Sequence, residues 1–405
     1  MTTAAAVAQT VGPSGFARRA AIVGVGQTAY LRRSDRDEWD LALEAVRNAA
    51  DDAGIRPSEI DGIVRYSQDR IHEAQLAGAL GLSLRYHGQV GFGGQSVCAV
   101  VGQAAAAIHA GLARVVVCYR ALNGRTGARY GRAERSLEDE GNGTYRAFGD
   151  RVPSGAFSAP YGLLAPGQVM ALWARRYAHE AGIGIDVLSA ALARIAIDQR
   201  AWASRNPAAV MGGRPLDLAA YQAGRVLAEP LRLHDFCLET DGAAAIVVCD
   251  AERARAISRQ PVYVVGATQA LYAEAMEVYG ELINGPDHRA RARALFAGCG
   301  GMTAADVDVA MLYDATTIMV LLQLEGYGFV PPGRAWETVI ERGIGAEGVV
   351  PVNTSGGQLS EAYVHGMNLV IEAVRQLRGT ASSPVPGAAT ALVGAAGASS
   401  LVLAR

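Results

Sequence analysis

Lysine is absent. All 37 basic side chains of this 405-residue chain are arginine, which excludes a Schiff-base lysine, a P-loop lysine and a pyridoxal lysine together. No run of about 18 apolar residues occurs, the length a membrane-spanning helix needs, so no membrane association is expected. The opening MTTAAAVAQTVGPSGFARR has neither the charged start nor the compact apolar centre of a secretory signal. C-x-x-C pairs are missing too. Cys98, Cys118, Cys237, Cys249 and Cys299 are scattered, so neither a metal knuckle nor a disulfide framework is expected, and a reduced, cytoplasmic setting fits. With no basic run and a formal net charge of -2, nucleic acid is not expected as a partner.

Half of the residues are hydrophobic, enough for two domains or for two halves of one large α/β unit. The stretch that stands out is Pro351–Asn368, PVNTSGGQLSEAYVHGMN. Its Asn, Thr, Ser and glycines cannot continue a helix or strand, so a turn is expected that brings bare backbone close to a ligand. Glu361, Tyr363 and His365 follow, spaced two apart, and then Gly366 opens the apolar periodicity of a helix at Met367, Leu369, Val370, Ala373 and Val374. An ordinary glycine turn with a packed tyrosine would read the same way.

Taken in order, the chain gives a short strand at Ala20–Gly24, a helix at Glu38–Ala53 stopped by Gly54, and a strand at Gly62–Tyr66. The passage GIRPSEIDGIVRY at Gly54–Tyr66 returns as GMTAADVDVAMLY at Gly301–Tyr313, pairing Gly54 with Gly301, Asp61 with Asp308 and Tyr66 with Tyr313. A strand at Val262–Gly266 and a helix through Ala290–Ala297 precede the second copy as their counterparts precede the first. This predicts an internal duplication, two similar α/β halves each with a sheet between helices.

Between the copies, Val97, Val100, Val101, Ala104, Ala105 and Ile108 carry the spacing of a buried helix face, ending at Gly111 before the strand Val115–Tyr119. Gly93 and Gly94 open that helix. They either present N–H groups to an oxyanion or thioester carbonyl or simply make a tight turn. Residues from about 121 to 230 read as a large loop and helical insertion over the first half, with helices at Pro166–Ala181 and Asp186–Ala203. ETDGAAAIVVCD, Glu239–Asp250, reads as a glycine turn into a buried strand. Asp241 is expected as a turn residue and Ala251–Gln260 as a charged linker, dividing a tail (1–19) and an N-terminal half (20–255) from a C-terminal half (256–405).

Gly94–Tyr119, the DGAAA strand at Asp241–Ala245 and the frame of Asn353, Gly356, Gly357 and Gly366 together resemble the thiolase superfamily across nearly the whole chain. The fold implied is α/β, a layered αβαβα core of two duplicated halves. The likeness is nearest to the sterol-carrier-protein-type, thiolase-like branch, yet the departures are informative. Counting back from Gly111, Gly94 falls where a thiolase has its acyl-accepting cysteine. Cys98 lies a helical turn further in, on the wrong face. Tyr363 stands for the catalytic histidine, Tyr313 for the Asn or His that holds a thioester oxygen, and Val393 for the second cysteine. Without a thiolate there is no acyl-enzyme.

The segments VVVCYRALNGRTGARYG, EPLRLHDFCLETDGAAAIVV and NTSGGQLSEAYVHGMN are similar to the lipid-transfer-protein-type steroid side-chain aldolases. That resemblance implies retro-aldol cleavage of a β-hydroxyacyl-CoA, a 17-hydroxy steroid C20-carboxyl-CoA giving a 17-keto steroid and propionyl-CoA. Tyr313 and Tyr363 would be the acid/base pair, His365 and Asp314 support, and Gly93, Gly94, Gly356 and Gly357 the substrate and oxyanion loops. No covalently bound cofactor and no metal are implied, CoA being part of the substrate. The implied partner is a small OB-fold, zinc-ribbon acyl-CoA-associated protein, in a heterotetramer built on a thiolase-type homodimer. A phenol of reference pKa near 10 is about three units too weak a base at neutral pH, roughly 4 kcal/mol; His365, arginines and helix N-termini are the groups available to offset that. The alternatives are a non-catalytic acyl-CoA or sterol binder or scaffold and, further off, an acyl-transferring thiolase.

Overall fold

The computed structural model describes residues 17–91, 93–127, 129, 159–258, 260–269, 286–395 and 398–405. Its strands are β1 (Ala20–Gln27), β2 (Gly62–Tyr66), β3 (Tyr86–Val90), β4 (Val115–Asn123), β5 (Val226–Ala228), β6 (Leu231–Arg232), β7 (Asp241–Asp250), β8 (Val262–Gln269), β9 (Val309–Leu312), β10 (Thr390–Ala395) and β11 (Ser399–Ala404). β5 and β6 form a small separate hairpin, and the other nine make one sheet in the order β3-β2-β4-β7-β1-β8-β11-β10-β9.

That order is a duplication made visible. Reading outward from the centre, β1, β7, β4 and β2 answer to β8, β11, β10 and β9, with the same antiparallel, antiparallel, parallel sequence of pairings on each side. The halves join where β1 meets β8, through Ala21↔Tyr263 and Ile22↔Val262. Even the repeated aspartates do one job twice. Asp61 Oδ1 accepts the N–H groups of Arg114 and Val115 at the start of β4, both at 2.8 Å. Asp308 Oδ2 accepts those of Ala389 and Thr390 at the start of β10, both at 2.9 Å.

The central strands β1, β4, β7, β10 and β11 are buried along most of their length because helices cover both faces. Asp37 caps the helix Glu38–Asp52, which lays Leu41, Ala42, Ala45, Val46 and Ala49 on the outer face of β1, β4 and β7. Pro286–Gly298 does the same for β8 and β11. In the middle layer lie Val97–His109 and Met367–Arg378, each touching strands of both halves. Small side chains permit this closeness: a Cβ at Gly102 would come within 2.9 Å of Ala267 Cβ.

Three expectations are corrected. The two insertion helices, found at Pro166–Ala181 and Ile185–Ala203, pack on the helices Thr317–Gly326 and Ala335–Arg342, and Ile185–Ala203 also on Gly357–Ser360. The insertion therefore covers the second half, because its apolar residues Met170, Trp173, Leu188 and Leu192 find the exposed face of that half's helices; residues 130–158 of it lie outside the described residues. The charged linker is a helix, Ala251–Ile257, started by Asp250 Oδ1 accepting the Arg253 N–H and burying Ala254. Asp241 is no turn residue. Fully buried at the start of β7, its carboxylate accepts the N–H groups of Ser34, Arg125 and Thr126 and the Thr126 hydroxyl, tying three chain segments together.

Candidate active site

Tyr313 is set immediately beyond β9, at the edge of the second half's sheet. Its N–H donates to Gly394 O and its carbonyl accepts from Gln323 Nε2, each at 2.8 Å. One residue back, the Asn353 side-chain amide brackets the Leu312 backbone, accepting its N–H at 2.8 Å and donating to its carbonyl at 2.9 Å. One residue forward, the Asp314 carboxylate accepts the N–H groups of Gln358 and Leu359. The asparagine of the Asn-Gly-Gly frame thus stitches the turn to the strand that delivers Tyr313. Across the site, the Thr240 hydroxyl accepts the Tyr363 N–H at 2.9 Å and donates to the Tyr363 carbonyl.

So held, the two phenols meet. Their hydroxyl oxygens are 3.1 Å apart, with Tyr313 buried and Tyr363 half-buried. Burial pushes the Tyr313 phenol above its ordinary range, and the hydrogen bond with Tyr363 only partly opposes this. Tyr313 therefore stays protonated at neutral pH.

The glycines make room for this pair. A Cβ built on Gly94 would lie 2.8 Å from Tyr313 Cζ and closer still to its hydroxyl, and one on Gly366 would lie 3.2 Å from Tyr313 Cδ2. Gly93 belongs to a tight 3₁₀ turn, Gly93–Ser96, that precedes the helix and sits beside Gln68. Gly356 and Gly357 are buried, the first against Ala203 and the second against Asp314, Asn353 and Gln199.

His365 adopts φ +49, left-handed backbone uncommon for a residue with a side chain. The Tyr66 hydroxyl donates to its carbonyl at 3.0 Å, and Arg120 Nε donates to its Nδ1 at 3.0 Å. Its ring meets that of Tyr363 nearly perpendicular, with centroids 5.2 Å apart. Burial, helped by the neighbouring Arg120 charge, holds its pKa well below the usual imidazole value, so it is neutral. Glu361 turns the other way. Its carboxylate accepts from Ser355, Asn368 and Asn206 in a buried polar network behind the turn.

Asp314 is fully buried, which lifts its carboxyl to about 7 against the pull of its two backbone donors. Cys98 is buried with its thiol donating to the Val393 carbonyl at 3.3 Å, and burial raises it far from any thiolate. The structure thus brings Gly94, Tyr313, Asp314, Tyr363 and His365 together, and puts Cys98 to packing.

Sequence reasoning missed Tyr66, Asp69, Arg120 and Thr240. Tyr66 had a signal, as the repeat partner of Tyr313: the equivalent tyrosines of the two halves reach the same segment, 363–365. Arg120 had one too, a lone charge at the end of the apolar run VVVCY. Two adjacent hydroxyls fixed in this way can accept a proton at one oxygen and release it at the other, and they supply no nucleophile of thiolate strength.

The sequence matches the thiolase C-terminal domain-like family over residues 288–402. It is 40% identical over 380 residues to a 17-hydroxy-3-oxo-4-pregnene-20-carboxyl-CoA lyase of Mycobacterium tuberculosis, covering 93% of this chain and 95% of that one. To a steroid side-chain-cleaving aldolase of Thermomonospora curvata it is also 40% identical, over 383 residues, with 93% and 95% covered. Among solved structures it superposes on an Ltp2-ChsH2(DUF35) aldolase with a TM-score of 0.86 at 37% identity, over 97% of this chain and 99% of that one.

Proposed function

The chain belongs to the steroid side-chain-cleaving aldolases of the thiolase superfamily, and from that membership we propose that Tyr313 and Tyr363 carry out the cleavage as an acid/base pair. The enzyme is a lyase that breaks a carbon–carbon bond by retro-aldol chemistry. Its substrate, on this reading, is a 17-hydroxy steroid C20-carboxyl-CoA, and its products are a 17-keto steroid and propionyl-CoA.

The observation that carries the reading is the 3.1 Å contact between the two hydroxyls. Tyr363, the less buried, takes the proton of the substrate's β-hydroxyl. The carbonyl forms as the bond to the α-carbon breaks, and the electron pair moves into the thioester as an enolate. A proton from the pair then closes the α-carbon. Tyr313, kept protonated by burial, donates to the Tyr363 oxygen and lowers the cost of its carrying negative charge. The hydrogen lost by the alcohol equals the hydrogen gained by the α-carbon, so the reaction is redox-neutral and asks for no cofactor beyond the CoA of the substrate.

The reading includes a companion of the OB-fold, zinc-ribbon type, supported by the solved neighbour named as an Ltp2-ChsH2(DUF35) aldolase. A homodimer with one companion on each protomer would make a heterotetramer. In its support, β3 ends the sheet with no strand on its outer side among the described residues. A cytoplasmic setting accords with five unbridged cysteines.

The test is product analysis. The purified chain, with a DUF35-type companion, is incubated with a steroid β-hydroxyacyl-CoA in deuterated water. The 17-ketone and propionyl-CoA carrying one deuterium at the α-carbon are expected. Free CoA with no propionyl-CoA, or no conversion with any companion, would sink the proposal.

A further inference from the structure

Behind the two phenols lies a buried ion pair with no task in the chemistry above. Arg120, at 1% exposure, pairs through Nη1 with Asp69 Oδ1 at 2.5 Å, where both side chains are closed to solvent. Its Nη1 also donates to the Ala121 carbonyl, and its Nε to His365 Nδ1 at 3.0 Å. A buried pair of this kind is weak ground for stability, since desolvating both charges commonly costs as much as their attraction returns. A charged side chain between the apolar Val115–Tyr119 and Ala121–Leu122 of β4 calls for another reason.

That reason lies in His365. A guanidinium has donors and no acceptor, so the Arg120 bond fixes Nδ1 as the accepting nitrogen, and the hydrogen of the neutral ring must be on Nε2. The same residue holds left-handed backbone at φ +49, with the Tyr66 hydroxyl on its carbonyl. Strained backbone fixed from two sides is over-determined, the condition under which strain persists at working sites. The ring so fixed stands at 84° to that of Tyr363.

We propose that Asp69 and Arg120 are positioning residues for the aldol cleavage, acting through His365. They hold its ring in one tautomer and one orientation, and that ring fixes Tyr363 where its hydroxyl meets that of Tyr313. The inference rests on the catalytic role given to Tyr363. A base displaced by about 1 Å loses on the order of a hundredfold in rate, so the effect belongs in kcat, with KM little changed.

The test has two arms. In the first, nitrogen-15 NMR of histidine-labelled wild-type protein reads the His365 tautomer, its signal identified by its absence from His365→Asn, a residue type that tolerates positive φ. A single neutral tautomer protonated at Nε2 is expected. A hydrogen on Nδ1, or a tautomer mixture, overturns the inference, and this arm needs no turnover.

In the second arm, Asp69→Asn is combined with Arg120→Met, so that neither charge is left alone and the Tyr66 N–H, which donates to Asp69 Oδ2, keeps an acceptor. The expected loss is about 10- to 100-fold in kcat, and the same change made on top of His365→Asn adds almost nothing further. If the losses multiply, the ion pair does not act through His365 and the inference fails. A different result, full activity in Tyr363→Phe, would instead remove the function assigned to the phenols.

Discussion

The phenol of Tyr313 fills the space that a side chain at Gly94 would occupy. A Cβ there would sit 2.8 Å from Tyr313 Cζ and 2.9 Å from Cε2, so a side chain at position 94 and the phenol at position 313 compete for one space. Gly94→Cys should therefore destabilise the protein by about 1–3 kcal/mol through overpacking and leave no acyl adduct detectable by mass spectrometry. Made together with Tyr313→Phe, which removes the nearest atom, it should cost measurably less. Equal costs in the two backgrounds, read by urea unfolding, would show that the phenol does not hold that space.

Tyr363→Phe keeps the ring against His365 and removes only the hydroxyl. Turnover of the β-hydroxyacyl-CoA should fall by about 10²- to 10⁴-fold, while the substrate Kd stays within about twofold. Near-normal kcat would return the chain to the class of non-catalytic acyl-CoA binders.

Asp61 and Asp308 each start a strand by accepting two backbone N–H groups. Replacing either with alanine strips the acceptor from both donors and should cost about 1–3 kcal/mol. The sites lie in opposite halves of the sheet, so the two costs should add in the double variant. Denaturant midpoints measure both, and a negligible effect at one site would mean that the duplicated contact has lost its role there.

Glu372 accepts from Thr354 and Gln376 deep behind the turn, where burial first, and then the charge of Glu361, lifts its carboxyl to about 7. The folded protein thus keeps a proton that the unfolded chain gives up above its reference value of about 4.3. The stabilisation is complete below that value and is lost as pH rises through about 7. Wild-type protein should lose more stability between pH 5 and pH 7.5 than Glu372→Gln, by on the order of 1–3 kcal/mol. Parallel urea-unfolding profiles for the two proteins would contradict the assignment.

Much of this protein was legible along the chain. Periodicity located the central helices Val97–His109 and Met367–Arg378, and the repeat of Gly54–Tyr66 at Gly301–Tyr313 announced two similar halves, each expected to have its own sheet, which the structure joins into one nine-stranded sheet. These are local properties, set by the alternation of side chains and by the residues that stop helices, and they survive without knowledge of distant neighbours. The resemblance to the thiolase superfamily, carried by the frame from Asn353 to Gly366 and the segment Met311–Thr316, singled out Tyr363 and Tyr313.

Distance in space is another matter. That Tyr313 and Tyr363 touch, that Arg120 reaches His365 across 245 positions, and that the insertion covers the second half depend on how the two halves close on their shared helix layer. Those contacts come from packing and from the search of each buried donor for an acceptor, neither of which leaves a periodic trace in the chain. Composition determined that no lysine could do the chemistry. Only the closed structure decided which hydroxyl oxygens would meet.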